Sequence, residues 1–193
     1  MRKQIWIGLL AFLLIFTMGL SMVMAAGTEF SADMSITDAK GKIAAGKVFI
    51  KGINKIRQEI TVEGQASITI LRLDKKLSWT LMPEQQMYME MALPVNPNEP
   101  NPDYEYTTTD LGIQKINGYD CKGTKFTYKN KKYGELIQWI SDKLQYSVKI
   151  EVLNSKGKIT SIIEYSNIKQ GPQPDSLFEV PANYQKFSMF PKM

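Results

Sequence analysis

The chain has 193 residues, 44% hydrophobic and 22% charged, which suits one globular domain and is too apolar for a disordered chain. It has a formal net charge of +5, a single cysteine, Cys121, and no histidine. Those counts exclude Ser-His-Asp and Cys-His nucleophile pairs, imidazole bases, histidine-containing zinc sites, internal disulfides and cysteine metal clusters.

Arg2 and Lys3 open the chain, and no further charge occurs before Glu29. Between them runs an apolar stretch, Ile5 to Phe16, followed by smaller residues down to Ala26. Val23 and Ala25 fit the small-x-small pattern of a signal peptidase site, so residues 1–26 read as a signal peptide cleaved after Ala25 or Ala26. An uncleaved anchor is the alternative, since about 20 uncharged residues suffice to span a bilayer. In both cases the positive flank leaves residues 27–193 outside the cytoplasm, periplasmic or extracellular, as one domain. Loss of Arg2 and Lys3 lowers the net charge from +5 to +3, a mild lysine surplus and no nucleic-acid footprint. Contact with a membrane is expected to be transient unless the leader is retained. Cys121 reads as a small buried apolar residue, with a free thiol awaiting a partner as the sharper alternative.

From Glu29 onward the pattern is that of strands. Phe30, Ala32, Met34 and Ile36 alternate with Ser31, Asp33 and Ser35, the period of a strand with one buried face. Lys47–Lys51 follows, then Ile56, Ile60 and Val62 interleaved with Arg57, Glu59 and Thr61. Ser67–Leu73, Leu77–Met82 and Met87–Met91 are separated by Asp74-Lys75-Lys76 and Pro83-Glu84-Gln85, which are turn chemistry. Asn117-Gly118 joins Gly112–Ile116 to Tyr119–Tyr128 as a tight turn. Glu135–Ile140, Tyr146–Val152 and Lys158–Ile168 complete about ten strands in series, with no convincing run of helical spacing.

Two stretches break the pattern. Residues 92–110 hold Pro94, Pro97, Pro100 and Pro102, so they read as a long loop or a cover over an apolar surface. The tail from Gly171 ends in Phe187, Met189 and Phe190, which are expected to dock on the sheet. About ten twisted strands tend to curl or split. Curling gives a mainly β fold, a single antiparallel sheet bent into an open half-barrel with an apolar hollow and little helix to fill it. Closure by a second half-sheet into a sandwich or small barrel is the alternative.

Gly46–Lys51, then Ile68–Leu71, then Lys76-Leu77-Ser78-Trp79-Thr80-Leu81-Met82-Pro83 with Tyr88 resemble the periplasmic lipoprotein-sorting carriers of the LolA/LolB-like superfamily. Ile116–Cys121 and the closing Pro174–Pro181 are similar to an uncharacterised branch of secreted bacterial proteins with that fold. The resemblance implies an open curled sheet that holds lipid acyl chains on its concave side. Where the carriers carry Arg-Pro after the second strand this chain has Gly52-Ile53, and Thr28 leads straight into the first strand without their initial helix.

The function expected is therefore non-enzymatic binding of a lipid acyl chain or lipidated protein, with a cell-envelope protein segment as the rival guest. The candidate lipid-facing residues are Met34, Val48, Ile60, Ile70, Trp79, Met87, Met89 and Met91, each with core filling as the plain alternative. No catalytic residue, metal site or cofactor is expected. The lysines at 125, 129, 131 and 132 read as a solvated hairpin end. Asp103 and Glu105 give no sign of the rigidly held pair that a glycosidase needs.

Overall fold

The computed structural model describes residues 28–62, 64–93 and 105–187, and the expected leader lies outside them. The described residues form one twelve-stranded sheet without an α-helix. The strands are β1 (Glu29–Asp38), β2 (Gly41–Lys51), β3 (Lys55–Val62), β4 (Gln65–Arg72), β5 (Leu77–Met82) and β6 (Met87–Ala92). They continue as β7 (Tyr106–Ile116), β8 (Tyr119–Tyr128), β9 (Glu135–Ser141), β10 (Tyr146–Leu153), β11 (Ile159–Gln170) and the two-residue β12 (Gln185–Lys186). The spatial order is β12-β6-β5-β4-β3-β2-β1-β11-β10-β9-β8-β7, antiparallel throughout except for the parallel pair β12–β6.

That order constrains the shape of the sheet. The first described strand, β1, lies in the middle, the following strands wind out to β6, next to β12, and the sheet restarts at the opposite edge with β7. Flat, β6 and β7 would stand ten strand spacings apart, roughly 48 Å. Because β6 and β7 run in the same direction, the connection also has to pass from one end of the sheet to the other. Twelve peptide steps from Leu93 to Glu105 reach at most about 42 Å. A flat sheet is thus forbidden by covalent geometry, and the sheet curls.

The curl has an inner face. Phe30, Ala32, Met34 and Ile36 of β1 are all buried there. Register carries the face to Ile50, Val48 and Ala44 of β2, to Ile56, Gln58 and Ile60 of β3, and to Leu71 of β4. These side chains form one apolar cluster with residues of β8–β11, including Tyr146 and Tyr165. Phe30 meets Tyr146 edge-on at 5.3 Å although β11 lies between their strands.

Local chemistry sets the hairpins. The turns after β4 and β5 share one design, a single 3-10 turn closed by a left-handed residue, Lys76 (φ 53°) and Gln86 (φ 50°). Asn117 (φ 49°) and Gly118 (φ 86°) both take positive φ, as the two-residue hairpin turn requires. Gly46 is needed for a different reason. A Cβ there would stand 1.7 Å from the Glu59 carbonyl oxygen, so β2 and β3 approach closer than any side chain permits.

Each expected strand is present, but two strands, β2 and β7, begin well before their expected starts. β2 begins at Gly41, because Ala44 and Ala45 pair with β1 despite their modest strand preference. β7 begins at Tyr106, so the expected loop over residues 92–110 is shorter at its C-terminal end. Residues 94–104 of that loop lie outside the described residues. β7 was hard to read because ten of its eleven residues are exposed, leaving no alternation of burial.

The tail crosses the outer face of β2–β6. Phe178 is fully buried among Ile70, Trp79 and Leu81. A row of cations holds the backbone above it. Lys51 donates to the Gln173 carbonyl (3.0 Å), Arg57 to that of Leu177 (2.9 Å) and Arg72 to that of Phe178 (3.2 Å). Arg72, 6% exposed in its side chain, also grips Asp74 through two hydrogen bonds and pairs with Glu179. The N–H groups of Gln185 and Phe187 then donate to the carbonyls of Gln86, just before β6, and Tyr88 within it, and the short β12 thereby covers that edge. Met189 and Phe190 lie outside the described residues.

Asp74, beside Arg72, is held below the ordinary carboxylate range, as is Asp175 by Lys55 and Lys51. Partial burial works the other way on Glu179, yet Arg72 and Lys75 outweigh it and hold this carboxyl low as well. Folded values below unfolded ones mean that these contacts stabilise above pH ~4.5 and are lost as pH falls further.

Two outcomes follow from this packing. Gly46→Val is expected to lower the urea midpoint by the equivalent of about 3 kcal/mol or more; a midpoint within experimental error of the parent would contradict the close approach. Amide exchange at Gln185 and Phe187, corrected for intrinsic rates, should lose protection between pH 6 and pH 3 before the central strands do. Equal loss in β1 and β12 would contradict a tail held by its carboxylates.

Candidate functional site

Register decides which candidates share a face. In β6, Met87, Met89 and Met91 stand opposite Met82, Thr80 and Ser78 of β5, and all six continue the inner face through Thr69 and Leu71 of β4. Met82, Met87, Met89 and Met91 are half-buried. They contrast with Met34, Val48 and Ile60, which lie on the same face but are buried. The inner face is thus closed to solvent over β1–β3 and partly open at β5–β6. No charged side chain is placed on the inner face of β4–β6 by the register, since Arg72 and Glu90 point the other way.

The middle of the hollow is occupied by polar-tipped side chains. Tyr146 and Tyr165 are tilted against each other at 5.9 Å, and Gln58 is buried on the same face. Burial pushes the Tyr146 phenol well above its ordinary value and that of Tyr165 up to about 12, so both hydroxyls stay protonated. Trp139 covers Gly123 of β8, where a Cβ would come within 2.6 Å of the indole.

Ile70 and Trp79 do not join the group. Both belong to the outer face, where they form the floor under Phe178. The physical reason is the two-residue period: Thr69 and Thr80 face inward, so their neighbours Ile70 and Trp79 face outward. The Trp79 indole N–H donates to Glu90 (2.9 Å), and Lys75 lies 5.4 Å from the ring centre. Lys186 and then Trp79 hold the Glu90 carboxyl below its ordinary value. Six of the eight candidates therefore share one face, three of them at its partly open end. Met82 extends that stripe; alternation within β5 alone does not single it out, but counting back across the Pro83–Gln85 turn from Met87 would.

Other candidate groups are accounted for by local pairing. Lys125 pairs with Glu135 (2.8 Å), Lys129 with Glu105, and Lys132 lies over the Tyr133 ring at 4.6 Å. Asp103 lies outside the described residues. Cys121 is fully buried, and burial pushes its thiol up to about 11. On the outer face, a groove of about 470 Å³ beside the β1 bulge is walled by Asp33, Lys47, Phe49, Asn167 and Lys169. Those charges suit a solvated groove better than an apolar guest. Among the described residues, no three His, Cys, Asp or Glu side chains are grouped so as to hold a metal ion.

The chain shares its fold with an uncharacterised conserved protein from Thermus thermophilus, at 12% identity and a TM-score of 0.63, over 83% of this chain and 90% of that one. It also shares its fold with MucB in the MucA/MucB complex of Pseudomonas aeruginosa, at 11% identity and a TM-score of 0.57. That match covers 82% of this chain but only 57% of MucB. A LolA superfamily protein from Nitrosomonas europaea is a looser likeness, with 14% identity, a TM-score of 0.39, and coverage of 82% and 92%. No curated protein matches the chain by sequence. The expected open, unclosed antiparallel sheet of an uncharacterised family is the architecture found. The profile of one family, described as a domain of unknown function (DUF4412), matches residues 30–147, more than half of the chain. On that match the chain belongs to the DUF4412 family.

Proposed function

We propose that this protein is an exported, non-enzymatic binding module of the bacterial cell envelope that holds an apolar guest, foremost a lipid acyl chain or lipidated protein segment, against the inner face of β4–β6. The observation that carries this reading is the half-buried methionine stripe Met87, Met89 and Met91, continued by Met82, on an inner face that bears no charge there. Unbranched thioether side chains adapt to guests of variable shape. Export rests on Arg2, Lys3 and the apolar run after them.

Binding of this kind is driven by area. Each methylene removed from water contributes about 0.8 kcal/mol, so a sixteen-carbon chain offers on the order of 10 kcal/mol before its entropy cost. Because the middle of the hollow is filled by Tyr146 and Tyr165, the guest lies along β6 and does not thread the whole curl. A second reading, in which the guest is a segment of another envelope protein, draws on the fold shared with MucB, which has been crystallised with MucA.

Mass spectrometry of protein purified from its native cells is expected to find stoichiometric extractable lipid. Met89→Glu should reduce lipid retention on the order of tenfold while the far-ultraviolet spectrum stays unchanged. Retention unchanged in Met89→Glu would overturn the assignment of the guest to this face, and a co-purifying peptide in place of lipid would decide for the second reading.

A further inference from the structure

The methionines of the β5–β6 hairpin carry a chemistry besides apolar area. Thioether sulfur is a soft, neutral donor, and soft donors select Cu(I) over hard divalent cations. Met82 stands directly opposite Met87, and Met89 follows on the same side of β6. Cross-strand Cβ atoms lie about 5 Å apart and successive same-face residues about 7 Å. Methionine's three rotatable bonds let three sulfurs so spaced converge on one point above the hairpin without backbone movement.

The backbone beneath them is fixed. Pro83 opens the 3-10 turn, Gln86 closes it in the left-handed conformation, and the Gln86 N–H donates to the Pro83 carbonyl (3.2 Å). That turn locks Met82 and Met87 in register. Every member of the stripe is half-buried, so these side chains are neither sealed in the core nor fully in water. The register brings no cationic side chain to the inner face of β4–β6 that would repel a positive ion.

We propose that Met82, Met87 and Met89 form a thioether site for one soft monovalent cation of the Cu(I) class, with Met91 as the adjoining fourth sulfur. The site uses sulfur lone pairs and not surface area, so it goes beyond the apolar-guest reading and does not depend on it. Cys121, the chain's only thiol, is fully buried and does not compete.

Silver(I), a redox-inert ion of the same class, and Cu(I) kept reduced by ascorbate are titrated into the mature chain labelled with ¹³C at the methionine methyls. The expected result is one equivalent bound, with shifts at the Met82, Met87 and Met89 methyls, none at Met34, and none with Mg(II). M82L/M87L/M89L should weaken silver binding at least about tenfold, because leucine removes the sulfur. No saturable silver binding, shifts confined to other methionines, or unchanged affinity in the leucine variant would overturn the proposal. If the triple variant does not fold, the methyl shifts of the unaltered protein decide.

Discussion

The architecture depends on one covalent constraint: the connection between β6 and β7 is shorter than the width of flat sheet that would separate them. The strands wind out from β1 in mid-sheet to β6 and resume at β7, so that eleven strands run from β6 to β7 inclusive. Twelve peptide steps cannot bridge that width and the length of the sheet together unless the strands bend round. Right-handed twist predisposes such a sheet to coil, and the tether makes coiling obligatory. Glycines at two close approaches then accommodate the curl. Gly46 lets β2 and β3 approach, and Gly123 makes room for the Trp139 ring.

Curling gives the two faces different fates. The inner face gathers side chains from both arms into one cluster and is closed over β1–β3 and β10–β11. The outer face of β4–β6 would leave Ile70, Trp79 and Leu81 in water, and the tail lies over them, fixed by a row of lysines and arginines that hold its carbonyls and carboxylates. Buried Arg72 is central to that arrangement. It takes Asp74 from its own turn and Glu179 from the tail, so the tail's position is tied to the β4–β5 turn by charge as well as by packing. What remains partly uncovered is the inner side of the last hairpin. Its composition differs from the rest of the inner face, since methionine recurs at every inward position of β6.

Much of this was legible in the sequence, for physical reasons that also explain the failures. Period-two alternation in β1 and β10 and the Asn117-Gly118 turn give strands and hairpins directly, because local sterics and one buried face act on adjacent residues. The resemblance to the lipoprotein-sorting carriers added the expectation of an open sheet. Three things could not be read. β7 carries no burial contrast, so its first residues, Tyr106 to Asp110, resemble a loop. The side to which Ile70 and Trp79 turn is fixed by pairing with β5 and β6, which composition does not encode. The destination of the tail depends on Arg57 and Arg72 as partners more than a hundred residues away in sequence. Large apolar residues thus announced burial, but not against which surface.

The assignment of opposite roles to the two faces of one hairpin can be tested residue by residue along β6. A photoreactive side chain placed in turn at positions 87, 88, 89, 90 and 91 of the intact protein, followed by irradiation in cells and mass spectrometry, reports what each position touches. Adducts with an external guest at 87, 89 and 91, and adducts with the protein's own tail at 88 and 90, are predicted. Guest adducts at 88 and 90, or tail adducts at 89, would contradict the division.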